Sequence, residues 1–127
     1  MTEIRLEHVS YAYGDEKILE DINLQVTSGE VVSILGPSGV GKTTLFNLIA
    51  GILEVQSGRI VLDGEENPKG RVSYMLQKDL LLEHKTVLGN IILPLLIQKV
   101  DKAEAIARAD GILATFQLTA IRDKYPH

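Results

Sequence analysis

Apolar and polar residues alternate near the start of the chain, through Ile4-Arg5-Leu6-Glu7 and again through Ile22-Asn23-Leu24-Gln25-Val26. A period of two puts every second side chain on one face of a strand, so each run predicts a strand with one buried face. Gly14-Asp15-Glu16 lies between them with the residue types of a turn, and the pair predicts an antiparallel hairpin over residues 2–27. After a turn at Ser28-Gly29 the alternation stops. Val31-Val32-Ser33-Ile34-Leu35 reads as a central strand covered on both faces. Residues 42–50 have helical spacing, burying Leu45, Leu48 and Ile49, and Gly51 stands where a helix stops. Two more short strands are expected at 59–63 and 71–76, joined by the Gly-, Pro- and Asn-containing stretch 64–70.

Beyond residue 76 the pattern becomes helical. A helix beginning near Thr86 is apolar on most sides, through Val87, Leu88, Ile91, Ile92, Leu95 and Leu96, and is expected to kink or end around Pro94. Another begins at Asp101, with Glu104 at the capping-box spacing, and sets Ile106, Ala109, Leu113 and Phe116 on one stripe.

Composition narrows the picture. The 127 residues have the size of one domain, and 45% hydrophobic residues are enough for a core. Lys and Arg number 13 against 17 Asp and Glu, so the net charge of −4 argues against a protein that holds duplex nucleic acid by bulk charge, and no nucleic-acid partner is expected. The absence of cysteine excludes disulfides and thiolate metal sites. Met1-Thr2-Glu3-Ile4-Arg5 has no apolar signal region, and the most apolar stretch, 87–97, is too short to span a bilayer. A cytoplasmic protein is expected.

Gly36-Pro37-Ser38-Gly39-Val40-Gly41-Lys42-Thr43 fits G-x-x-x-x-G-K-[ST] with no mismatch. At ordinary residue frequencies the four fixed positions would coincide by accident in roughly one chain in two hundred of this length. The loop also lies between a predicted strand and a predicted helix, the context this chemistry requires. Glycines let successive N–H groups curl around phosphate oxygens, and the helix at Lys42 adds the positive end of its dipole. Lys42 supplies an ammonium for the β- and γ-phosphates, and Thr43 a hard oxygen for Mg²⁺. Gly36, Pro37, Ser38, Gly39, Val40, Gly41, Lys42, Thr43 and Thr44 are therefore the expected contacts to a nucleoside triphosphate with Mg²⁺, which the resemblance described next makes ATP. The fold class is α/β: a phosphate-loop NTPase core with an N-terminal antiparallel β subdomain, which by family resemblance is partial and carries the start of a helical subdomain.

Several further motifs follow in a set order. His8-Val9-Ser10-Tyr11-Ala12-Tyr13-Gly14, Ile22-Asn23-Leu24 and Gly29-Glu30 precede the loop; Ala50-Gly51-Ile52, Ser57-Gly58-Arg59-Ile60, Asp63-Gly64, Ser73-Tyr74-Met75-Leu76-Gln77 and Thr86-Val87-Leu88-Gly89-Asn90 follow it. In this order the chain resembles, over its whole length, the N-terminal part of the nucleotide-binding subunit of an ATP-binding cassette transporter. A faint likeness to nitrate, sulfonate and taurine importers surrounds Gln77. The resemblance implies that Tyr13 stacks on adenine, with Tyr11 a competitor, and that Gln77 reaches Mg²⁺ or the attacking water. Lys42 and Gln77 would then be the catalytic residues and Thr43 and Gln77 the metal contacts. It divides the chain into β subdomain and sheet (1–30 and 57–76), phosphate-loop unit (31–51), and Gln77 loop with the start of the helical subdomain (77–127).

The same resemblance implies a membrane-spanning permease and a second copy of the ATPase subunit as partners, with the protein peripheral on the inner face of the membrane. Apolar residues within 87–96 would partly serve docking, though most are expected in a core. The family's Leu-Ser-Gly-Gly signature, the strand ending in Asp, the catalytic Glu and the switch His do not follow Gln77 here, so the chain is expected to be the first part of a longer protein, binding nucleotide weakly and hydrolysing negligibly by itself. Ile60-Val61-Leu62-Asp63 imitates the Asp-ended strand, but its place between Ser57-Gly58 and Asp63-Gly64 resembles a sheet hairpin of the family. A non-transport cassette ATPase acting on DNA or the ribosome is the alternative. A small phosphate-loop kinase or GTPase is disfavoured by the preceding strand pair and by the lack of Asn-Lys-x-Asp. His8, His84 and His127 lack ligand spacing, and Asp15/Glu16 and Glu65/Glu66 read as solvated turn residues.

Overall fold

The computed structural model describes residues 2–37, 39 and 41–127. They form two compact units, Met1–Met75 and Leu76–His127. In the first, β1 (Glu3–Tyr13) and β2 (Glu16–Thr27) make the expected hairpin. β3 (Ser57–Leu62) pairs with the other edge of β1, and β4 (Glu65–Glu66), which the pattern did not predict, closes on β3. The order is β2-β1-β3-β4, with every neighbouring pair antiparallel.

The helix α1 (Lys42–Ile49) lays Leu45 and Leu48 against Leu6, Val9, Leu19 and Ile60 of the sheet. Eight residues do not hold a helix in water, so this burial, about 1.5–3 kcal/mol for each large apolar side chain, is what keeps it folded. Its end follows the Schellman pattern. Gly51, at φ +76°, donates its N–H to the Leu48 carbonyl at 3.2 Å, and Ile52 donates to Asn47 at 2.9 Å.

Bulges interrupt the hairpin in its middle, where pairing jumps from Leu6/Leu24 to Val9/Ile22 and then to Tyr11/Leu19. His8 and Asp21 both take the left-handed conformation there, at φ 52° and 48°. Side chains supply the missing rungs. Asn23 Oδ1 accepts the His8 N–H and Ser10 Oγ accepts the Asp21 N–H, both at 2.9 Å, while His8 Nδ1 lies 2.6 Å from Asp21 Oδ1. Hydrogen bonds from His8 and Asn23 hold the Asp21 carboxyl below the usual range.

Two expected strands do not form. Among the described residues, 31–37 and 71–76 belong to no strand. Val31, Leu35 and Met75 are more than nine-tenths exposed, and of the first run Ile34 reaches the core. A doubly covered strand needs a neighbour on each side to pair its N–H and C=O groups, and none of the four sheet strands lies beside these runs. The imitation metal strand is a hairpin arm: Asp63 sits in the β3–β4 turn, its Oδ1 accepts the Glu3 N–H at 2.7 Å, and its carboxylate lies 3.6 Å from Arg71.

In the second unit α2 (Val87–Ile97) starts at a Thr86 cap whose hydroxyl accepts the Gly89 N–H. The Val87 and Leu88 N–H groups donate to the carbonyls of Lys124 and Arg122. The helix runs past Pro94 and ends three residues beyond it, at Ile97. α3 (Lys102–Thr115) buries Ala105, Ala109 and Leu113, the first two beside Ile92. Phe116 leaves the expected stripe and is exposed, since the helix ends at Thr115 before its side chain can turn inward. The capping box is half made: Asp101 accepts the Ala103 N–H, while Glu104 pairs with Arg108 one turn on.

Candidate functional site

Residues 36–41 lead directly into α1, whose N-cap is Gly41 at φ +93°. A Cβ at Gly41 would stand 2.7 Å from Ile18 Cγ2 and 3.0 Å from Leu19 Cδ2. The hairpin therefore presses against the last residue of the loop, and glycine satisfies both the left-handed turn and the close approach. Gly39 is also left-handed, at φ +83°, with open space where a Cβ would be. Of the expected contacts, Ser38 and Val40 lie outside the described residues, while Gly36, Pro37 and Gly39 are exposed.

Among the described residues no side chain caps α1, and no acidic residue stands in its first turn. The first N–H groups of a helix have no intrahelical acceptor and carry the positive end of its dipole, so this donor set suits an anion. Lys42, the first helical residue, folds its ammonium back to donate to the Gly36 carbonyl. Thr43 is exposed, and Thr44 is buried with its Oγ1 3.4 Å from the Tyr13 hydroxyl. A lysine, an exposed hydroxyl and helix-start amides thus share one end of α1.

Tyr13 closes β1 and is half-exposed, while Tyr11 meets it edge to face, centroids 5.1 Å apart and planes at 75°, and packs against the core. The structure brings Tyr13, Lys42, Thr43 and Thr44 to the same end of the first unit. Gln77 stands in the second unit, exposed and outside any helix or strand. Reading the residues in order did not single out Gln56, whose side-chain amide both accepts the Ala12 N–H and donates to the Ala12 carbonyl, each at 2.9 Å. A lone glutamine before Ser57-Gly58 carries no signal for that contact. The cleft of about 350 Å³ bounded by Leu48, Gly51, Arg59 and Lys69 lies at the other end of α1 and takes no part in this arrangement.

The glycine loop runs into a helix that packs on the sheet, although the strand expected before the loop does not form. Residues 19–127 match the ABC transporter family, and the chain belongs to it. It is 39% identical to the spermidine/putrescine import ATP-binding protein PotA of Aggregatibacter actinomycetemcomitans, over 97% of this chain and 34% of that protein. It is 37% identical to the sulfate/thiosulfate import ATP-binding protein CysA of Thermosynechococcus vestitus, over 97% of this chain and 38% of that protein. The chain thus spans about a third of the length of these curated relatives. Among solved structures it is similar to an ATP-binding cassette in a dimeric post-hydrolysis state with ADP and Pi, with a TM-score of 0.75 and 26% identity, covering 97% of this chain and 61% of that one.

Proposed function

We propose that this chain carries the phosphate-loop half of the ATP site of a transport ATPase subunit that couples ATP binding and hydrolysis to import. The observation that carries the reading is the junction of residues 36–41 with an uncapped, acid-free first turn of α1, across which the Lys42 ammonium lies. Moved from the Gly36 carbonyl, that ammonium pairs with β- and γ-phosphate oxygens, while the amides of the loop and of Lys42, Thr43 and Thr44 take the remaining anionic oxygens. Tyr13 offers its face to adenine. Mg²⁺, when bound, neutralises charge between the β- and γ-phosphates. The exposed Thr43 hydroxyl would fit it as a ligand; the exposed Gln77 of the second unit carries an amide whose oxygen suits a hard cation and whose NH₂ suits water.

Hydrolysis needs a carboxylate base and an acidic residue holding the ion through water, and these loop residues provide neither. The residues here therefore bind nucleotide weakly and turn it over negligibly by themselves. A permease subunit and a second ATPase copy are the partners, at the cytoplasmic face of a membrane. No helix among the described residues is long and apolar enough to cross one. Polyamine and sulfate importers match at nearly equal identity although their cargoes have opposite charge. The cargo is therefore chosen outside this stretch. Equilibrium titration with Mg-ATP tests the reading: saturable binding that needs Mg²⁺ supports it, and no binding at millimolar nucleotide overturns it.

A further inference from the structure

We infer that Gln56 is a positioning residue for the base-binding end of this site, acting through the backbone of Ala12 on Tyr13; the inference rests on the ATP-site reading above. The backbone ladder between β1 and β3 reaches Ser10↔Ser57 and goes no further. Beyond that rung the Gln56 side chain takes over. Its Oε1 accepts the Ala12 N–H and its Nε2 donates to the Ala12 carbonyl, both at 2.9 Å across 44 residues of sequence. A primary amide carries one acceptor and donors in the geometry of a peptide group, so this side chain adds one rung to the sheet where the main chain has turned away.

That rung falls on the residue before Tyr13. The tip of the hairpin needs such a hold because pairing on its other side is irregular, with register shifts between Val9 and Tyr11 and between Tyr11 and Ala12. A ring that must present its face to a base cannot swing with a shifting hairpin tip. The Tyr13 backbone pairs with Glu16, while among the described residues its side chain has a long 3.4 Å contact from its hydroxyl to Thr44 Oγ1, the edge-to-face meeting with Tyr11, and half its surface open. Gln56 is itself exposed, so its two hydrogen bonds fix the position of Ala12 and add little burial to the fold.

The consequence is selective. Phosphate contacts are made by the loop and α1, base contacts by Tyr13, and Gln56 touches the second alone. Removing the clamp weakens ATP and leaves a ligand without a base unaffected. The experiment titrates the chain with Mg-ATP and with Mg-tripolyphosphate, using the wild type, Gln56→Ala, Tyr13→Ala and the double variant, with thermal melting to show that each is folded. Gln56→Ala is expected to weaken Mg-ATP roughly three- to tenfold, the scale of one lost hydrogen bond or two partly transmitted ones, with tripolyphosphate within twofold of wild type. In the Tyr13→Ala background the same change has no further effect. Gln56→Glu keeps the acceptor but sets a carboxylate against the Ala12 carbonyl, and so behaves like Gln56→Ala.

Equal loss for both ligands, additive losses in the double variant, or unchanged ATP affinity in Gln56→Ala would each overturn the inference while leaving the ATP site standing. Wild-type protein that binds neither ligand overturns the site itself, and this inference with it.

Discussion

The Lys42 ammonium donates a hydrogen bond to the Gly36 carbonyl, six residues back along the chain. The contact spans the loop from its first residue to the start of α1, so a side chain suited to phosphate is parked on a carbonyl that an incoming anion can replace. Lys42→Ala removes one cation and its charge-assisted bonds. Mg-ATP affinity should fall about a hundredfold or more. Stability should change by less than about 1 kcal/mol, because the lost contact is a single bond to an exposed loop carbonyl. Calorimetric titration beside a thermal melt separates the two; equal affinity in the variant would remove Lys42 from the site.

Two glycines should respond differently to alanine. At Gly58 a Cβ would stand 2.2 Å from the His8 carbonyl oxygen and 2.4 Å from that of Glu7, both main-chain atoms of the paired strand, at φ +78°. Gly58→Ala should cost about 3 kcal/mol or more, since β1 and β3 must separate. At Gly41 the two nearest atoms are side-chain methyls, Ile18 Cγ2 at 2.7 Å and Leu19 Cδ2 at 3.0 Å, and the nearest main-chain atom, the Ile18 oxygen, is farther at 3.2 Å, so Gly41→Ala should cost about 1–3 kcal/mol while distorting the loop. Denaturant melts of both variants check the order; Gly41→Ala proving the more destabilising would contradict it.

Asp63→Asn distinguishes the hairpin arm from a metal strand. The aspartate bonds the Glu3 N–H and faces Arg71 at the surface. Asparagine keeps an acceptor and loses an exposed charge, so the change should cost under about 1 kcal/mol. Mg-ATP affinity should be unaltered, and a tenfold loss would put the metal ligand at Asp63.

Acid should act on the second unit through Asp110. The Arg122 guanidinium donates to its carboxylate at 2.6 Å and holds it below the usual range. A carboxyl whose folded pKa is depressed contributes stability above its unfolded value, near 4, and that contribution is lost as pH falls through the lower folded value. Melting curves followed from pH 5 downward should therefore show a shallower acid loss in Asp110→Asn than in wild type. Parallel curves would show that the pair does not respond.

What the sequence pattern made legible, and what it did not, divides along physical lines. The β1–β2 hairpin, α1, its Gly51 stop and the Thr86 and Asp101 caps all declare themselves through local rules of period, turn and cap. The run at 31–35 has the composition of a buried strand and 71–76 that of a short strand, yet composition specifies a preference, and without neighbouring strands Val31, Leu35 and Met75 stand in solvent. The burial of Ala105 leaves little trace in the pattern because an alanine carries little signal, and the helix end displaces Phe116 from the stripe. The bulged pair His8 and Asp21 and the Gln56 clamp on Ala12 depend on contacts across 13 and 44 residues, for which no local rule exists. Of the candidate site, the loop was visible as a motif, and the placing of Tyr13 beside Thr44 came from the fold.

The most direct test follows the backbone amides themselves during a titration of ¹⁵N-labelled chain with Mg-ATP. The amide resonances of Gly39, Gly41, Lys42 and Thr43 should move furthest and saturate together, with Tyr13 shifting for ATP and not for tripolyphosphate. If those four amides stay in place while nucleotide binds, or if nothing in the chain responds at millimolar Mg-ATP, residues 36–44 do not hold phosphate and the account fails.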